Sequence, residues 1–102
     1  MAFILALHKT PADIAAFDAH FDDVHTPLAK SIPGIRSVEV SDGPVMTPEG
    51  PAPYHRVGLL RFDSLADLQA GMGSPEGMAA AADLANFSTG GFDILIFDSH
   101  ET

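Results

Sequence analysis

The chain has 102 residues, 46% of them apolar, a net charge of −9 and no cysteine. This length predicts one domain spanning residues 1–102, and the missing cysteines exclude a disulfide scaffold, a thiol nucleophile and a thiolate zinc site. The only basic residues are Lys9, Lys30, Arg36, Arg56 and Arg61, none adjacent, so nucleic acid and membrane surfaces, which demand clustered cations, are not expected partners.

The opening apolar run, Ala2 to Leu7, is too short for a signal peptide or a membrane span and reads as a first strand, which makes a cytoplasmic location the expectation. "TPADIAAFDAHFDDVH" follows, with Thr10 placed to cap a helix and Pro11 at its first position. Ile14, Phe17, Phe21, Val24 and Leu28 recur at three- and four-residue steps, an amphipathic helix that Pro27 should end or distort near Thr26. "IPGIRSVEV" is a turn into a second strand. Asp42 to Pro53 holds four prolines and two glycines and reads as a loop, either a lid, an arm to a second copy, or plain surface. "YHRVGLLRFD" is a third strand. Asp63 or Ser64 then caps a short helix, Ser74 caps another rich in alanine, Gly90-Gly91 stops it, and "FDILIF" is a fourth strand.

This order is βαββαβ, the ferredoxin-like α+β fold: a four-stranded antiparallel sheet with helices on one face. A sheet covered on one face should alternate apolar and polar residues. Phe3 to Leu7 and Ile94 to Phe97 are apolar at both parities. Both faces therefore ask for burial, and the helices supply only one cover. A second copy packed sheet to sheet, a homodimer, supplies the other, and space left between the sheets would suit a small hydrophobic organic ligand.

The stretches "HFDDVHTPLAKSIPGIRSVEV" and "PYHRVGLLRFDSLADLQAGMGSPEGMAAAADLANF" together resemble the EthD-domain family, over roughly residues 3 to 100. That family was named from a bacterial system for degrading ethyl tert-butyl ether and belongs to the dimeric α+β barrels. The resemblance implies a small, mostly apolar ligand. Related barrels include cofactor-free monooxygenases, muconolactone isomerases, and polyketide cyclases and decarboxylases. A cofactor-independent enzyme of one of these classes is the leading expectation, and a non-catalytic binding or accessory protein is the alternative.

His20 and His25 are the first candidates for chemistry. On a regular helix, residues five apart diverge by about 140°, so the two should flank the buried stripe on opposite sides and share no metal. His25, in the last turn before Pro27 and matching the second histidine of the EthD pattern, is the candidate general acid/base, with Asp22 placed to raise its pKa. Its plainer reading is a helix-capping residue. His20 reads as a helix-edge residue or a ligand contact. Tyr54 and His55 open the third strand, where alternation lets only one of them face the cavity. His8, Phe21 and Phe62 complete the candidate ligand contacts. The remaining aromatics and Met72 and Met78 read mostly as core. Asp18, Asp22 and Asp23 read as a solvated helix face, and His100 as solvent-exposed. No Gly-rich phosphate loop or Gly-x-Ser-x-Gly elbow is present, so no nucleotide or other cofactor is expected.

Overall fold

The computed structural model describes residues 1–102. Strands β1 (Ala2–Lys9), β2 (Ile35–Val40), β5 (Tyr54–Phe62) and β6 (Phe92–Asp98) form an antiparallel sheet in the order β2-β5-β1-β6. A long helical arm follows β1: α1 (Ile14–His20), a π turn (Phe21–His25) and α2 (Thr26–Lys30). Helices α3 (Leu65–Met72) and α4 (Pro75–Phe87) connect β5 to β6. The fold is the expected ferredoxin-like α+β arrangement. The Asp42–Pro53 segment departs from a plain loop by carrying a small hairpin, β3 (Met46–Thr47) with β4 (Gly50–Pro51).

Helix starts follow the capping chemistry of the sequence. The Ser64 and Ser74 hydroxyls accept from the backbone N–H groups of Asp67 and Gly77, as expected. The first helix instead begins later than Thr10 suggests. Asp13 is its cap, accepting from Ala16 N–H at 3.0 Å. Gly34, at φ +83°, makes the turn into β2, a conformation that side-chain-bearing residues adopt with strain. Gly77 lets α4 start against the end of α3, because a Cβ there would strike the Gly71 carbonyl and Met72.

Strand register decides which side chains meet the helices. Ala2, Ile4, Ala6 and His8 of β1 stand opposite Phe62, Leu60, Gly58 and Arg56 of β5 and share the helix side. Ala2, Ile4 and Phe62 join Ile32, Leu68 and Ala80 in the main core, and a second cluster joins Phe17, Phe21 and Phe87. The isoleucine, leucine and phenylalanine side chains among them each contribute roughly 1.5–3 kcal/mol on burial. The other face carries Phe3, Leu5 and Leu7 of β1, Val57, Leu59 and Arg61 of β5, Leu95 and Phe97 of β6, and the polar Ser37 and Glu39 of β2. No helix covers it, and Leu95 stays 50% exposed. The doubly apolar strands are thus real, and one face is left bare by this chain.

Several residues read as core are not. Phe92 and Phe97 are exposed on edge strand β6, and Met78 is 57% exposed on α4. Ile14 and Val24 of the expected helix stripe are also exposed. The π turn, not a change of periodicity in the sequence, turns Val24 outward.

Candidate functional site

The helical arm does not end before Pro27. A proline within an α-helix lacks an N–H and crowds the carbonyl four residues back. The arm accommodates this by widening: Thr26 N–H bonds the Phe21 carbonyl, five residues earlier, and α2 restarts with Pro27 in its first turn, where no N–H is needed. The widened turn carries a functional consequence. A π turn holds more residues per turn than an α-helix, so residues five apart diverge less around its axis. The buried stripe runs Phe17, Phe21 and His25, with Val24 turned outward and Leu28 kept partly buried against the main core, and His20 joins its side. The two histidines therefore do not flank the stripe on opposite sides. Both reach the same carboxylate.

That carboxylate is Asp83 of α4, only 6% exposed. His20 Nε2 lies 2.9 and 3.0 Å from its two oxygens, and His25 Nδ1 lies 3.0 Å from Oδ2. Asn86 Nδ2 donates a further hydrogen bond at 3.0 Å. Burial works to raise the Asp83 pKa, but the hydrogen bonds from Asn86, His20 and His25 outweigh it and hold the carboxyl below its ordinary range. An ionised carboxylate only accepts. His25 therefore carries a proton on Nδ1 and His20 one on Nε2, and His25 Nε2 is left with no protein hydrogen-bond partner. Burial pushes the His25 imidazole below its ordinary range, against the opposing hydrogen bond and charge of Asp83. Asp22, expected to raise it, is occupied elsewhere, accepting from Arg56 at 3.2 Å.

Phe87 supports the pair from beneath. Its ring stacks on His20 at 5.1 Å and tilts against His25 at 4.7 Å. His8 completes the cluster from β1. It is 1% exposed, its Nδ1 shares a 2.8 Å hydrogen bond with the Ser88 hydroxyl, and its ring lies 6.4 Å from that of His25. Burial above all, then the charges of His25, Arg56 and His55, lowers its pKa to about 4, so it is neutral at physiological pH.

Two spaces meet at His25. One is a crevice of about 20 Å³ shared with His8, Phe21 and Gly58. The other is a pocket of about 120 Å³ between the sheet and α4, walled by Ile4, Ala6, Leu60, Met72, Ala80, Ala81, Leu84 and Ile94, with His25 as its only titratable group. This is the helix side of the sheet. A cavity between two sheets with His25 on its wall is not what the fold allows, because β1 and β5 themselves separate His25 from the bare face. The pocket is also smaller than the ~300 Å³ of an ordinary ligand site. It lies against Ile94, a partly exposed residue of edge strand β6.

His55 and Arg56 come to share a face through a second irregularity. The β1–β5 pairing runs His8↔Arg56 and then Lys9↔Tyr54, leaving His55 as the extra residue of a bulge. Both side chains therefore turn to the helix side. His55 Nε2 donates to Asp18 at 2.7 Å, Arg56 donates to the same oxygen at 3.0 Å, and the guanidinium lies 4.8 Å over the Phe21 ring. Asp18 and Asp22 are thus ion-pair partners and not a free solvated face, while Asp23 and His100 are exposed. Tyr54 is not brought to His25. It lines a polar surface depression of about 840 Å³ with His55, Arg56 and the β2–β5 connection. Phe62 sits in the main core, away from the histidines. No group of three or more His, Asp or Glu side chains is placed to hold a metal ion.

Asp83, Asn86 and Ser88 are not singled out by the sequence reading, which takes Phe87 as mostly core. The signal for Asp83 was present: Gly77, Ala80, Asp83 and Phe87 recur at three- and four-residue steps on the buried face of an alanine-rich helix, which puts a carboxylate where an apolar residue belongs.

The EthD domain family model matches residues 9–91. An uncharacterized 11.0 kDa protein from the thcB-thcC intergenic region of Rhodococcus erythropolis is 36% identical over 95 residues, covering 93% of this chain and 91% of its own. The crystal structure of an EthD family protein from Bacillus halodurans superposes with a TM-score of 0.88 at 30% identity, over 98% of this chain and 99% of that one. A dimeric ferredoxin-like protein of unknown function from Jannaschia sp. CCS1 shares the fold at a TM-score of 0.69 and 19% identity, over 96% and 98% of the two chains. No helix is long and apolar enough to cross a membrane.

Proposed function

This chain belongs to the EthD family, and from that premise we propose that it binds a small, mostly apolar organic molecule beside His25 and moves a proton on it without a cofactor. The observation that carries this reading is the His25 ring on the wall of an apolar pocket, with Nδ1 held by a buried carboxylate and Nε2 left without a protein hydrogen bond. A histidine oriented in this way is a general base of fixed tautomer. Its lowered pKa keeps it unprotonated at neutral pH, ready to accept a proton. The apolar walls offer no cation for a carboxylate, so the substrate is a neutral compound with one acidic C–H or O–H, such as a phenol or an enolisable aromatic ketone. Isomerisation, cyclisation, decarboxylation and oxygenation can all begin with that step. His55 and Tyr54 take no part at the reacting atom in this reading. They belong to the polar depression on the far side of Phe21.

The working unit is a homodimer joined through the bare sheet face. Leu5, Leu59, Leu95 and Phe97 lie there uncovered by this chain, and the Jannaschia relative is described as dimeric.

The test is proton exchange at carbon. A panel of small enolisable aromatic ketones is incubated with the protein in D2O, and deuterium incorporation is followed by NMR beside ligand-detected binding. Exchange that His25→Gln slows by about 10²-fold or more supports general-base action. Binding with no exchange supports the alternative of a carrier protein, which the small pocket with one titratable wall residue favours. No binding across the panel overturns the reading.

A further inference from the structure

Arg61 is the arginine that this chain leaves without an anion. Arg36 pairs with Asp63, and Arg56 with Asp18 and Asp22. Arg61 stands on β5 between Phe3 of β1 and Ser37 of β2, on the face that no helix covers. Its one hydrogen bond is a weak one, from Nη1 to the Met1 thioether at 3.7 Å. Its Nε is the single buried side-chain polar atom of the molecule with no hydrogen-bond partner. Such an atom is rare in a folded protein and calls for an explanation. Glu39 lies on the same face beside Leu59, exposed and without an ion pair in its own chain.

We propose that Arg61 and Glu39 pair across the homodimer, Arg61 of each copy with the partner's Glu39, so that these charges fix how the two sheets meet. The inference rests on the reading of the bare face as the dimer interface. Because β5 is an inner strand, a second sheet laid on that face takes water away from Arg61. A desolvated guanidinium without a carboxylate is strongly destabilising, and its own chain offers it only a sulfur. The second copy therefore has to supply the anion, and a two-fold axis forms the same pair twice.

The symmetry also selects the carboxylate. The face carries two, Glu39 on β2 and Asp93 on β6. A two-fold axis exchanges only positions that are equally distant from any point on it. The middle of the face lies between Leu5 and Leu59, on the two inner strands. With strands about 4.8 Å apart and alternate residues about 6.8 Å apart, Arg61 and Glu39 each stand about 7 Å from that middle, and Asp93 about 10 Å. An axis through the middle can therefore lay Arg61 over the partner's Glu39, but not over the partner's Asp93.

The experiment uses two charge-reversed full-length chains. Arg61→Glu would bring two carboxylates together at each contact, and Glu39→Arg two guanidinium groups. Each variant alone is expected to dimerise at least about tenfold more weakly than wild type in analytical ultracentrifugation. Mixed in equal amounts, the two variants restore opposite charges at both contacts, and native mass spectrometry is expected to find the mixed dimer above its statistical share. Pairing within one chain cannot give that result, since mixing leaves each chain's own charges unchanged. The double variant Arg61→Glu/Glu39→Arg is expected to return to near wild-type affinity, and its recovery guards against a single variant that merely folds badly. A statistical mixture, single variants that dimerise as tightly as wild type, or a double variant that stays weak overturns the pairing and leaves the dimer standing. So does equal enrichment when Asp93→Arg replaces Glu39→Arg. A monomeric wild type overturns the dimer reading itself, and the pairing with it.

Discussion

His25 donates its Nδ1 hydrogen to Asp83 Oδ2 across 3.0 Å, and this contact ties the π turn to α4 over a separation of 58 residues. Asp83 also accepts from His20 and Asn86. Removing the carboxylate orphans all these donors in a poorly hydrated place, and each orphaned donor costs about 1–3 kcal/mol. Asp83→Ala should therefore lower stability by about 3 kcal/mol, whereas Asp83→Asn, which keeps one acceptor oxygen, should lose about half of that. Urea unfolding at fixed protein concentration measures both. A loss under about 1 kcal/mol for Asp83→Ala would mean that the carboxylate is not the tie between the helices.

The fold was legible because strand pattern, caps and turn residues agree. Ser64, Ser74 and Gly34 each do what their chemistry predicts, and the apolar parity of β1 and β6 correctly announces a sheet with two apolar faces. The site was legible in its residue types and not in its geometry. His8, His20 and His25 were named, but both irregularities that aim side chains, the π turn before Pro27 and the bulge at His55, break the periodicities from which directions are inferred. A one-residue departure reverses a side chain's face. Asp83 was missed for another reason. Its partners lie on a different helix, and only its place on an apolar stripe betrays it.

Low pH should unfold this protein by way of its buried histidines. The His8 pKa falls from 6.5 to about 4, chiefly through burial, so the unfolded chain binds the proton more tightly. For a depressed pKa, the stability is complete above the unfolded value of 6.5 and is lost as pH falls toward 4. The loss from His8 alone is about 3 kcal/mol at most. His25, also lowered, adds in the same direction. Asp83 adds only below the ordinary carboxylate range, where protonation removes its bonds. Unfolding free energy should thus decline from pH 6.5 to 4, and His8→Gln should flatten that slope. An identical slope in the variant would show that His8 is not the group responsible.

The sheet face can be tested apart from the site. Leu5 stands between Leu59 and Leu95 at the centre of the bare face, with none of the histidines on its side. Leu5→Glu places a charge where two copies would meet, and burying an unpaired charge is prohibitive. Size-exclusion chromatography with light scattering should find a dimer for the wild type and a monomer for the variant. A wild-type monomer, or a variant that keeps the wild-type mass, would place the interface elsewhere or nowhere.

Access to His25 can be closed without touching it. Ala81 borders the 120 Å³ pocket yet lies on an exposed part of α4, so a larger side chain there has room to enter the pocket without displacing core. Ala82 is equally exposed and does not border it. Ala81→Trp should weaken ligand binding at least about tenfold, since filling a pocket this small leaves no space for a ring. Ala82→Trp should leave binding unchanged. Both should stay within about 1 kcal/mol of wild-type stability, as surface substitutions usually do. The pairing matters because a general loss of affinity would appear in both variants, and only a ligand seated between α4 and the sheet distinguishes two adjacent alanines. Equal binding by the two variants would remove the pocket from the function, and with it the claim that the free nitrogen of His25 faces a substrate.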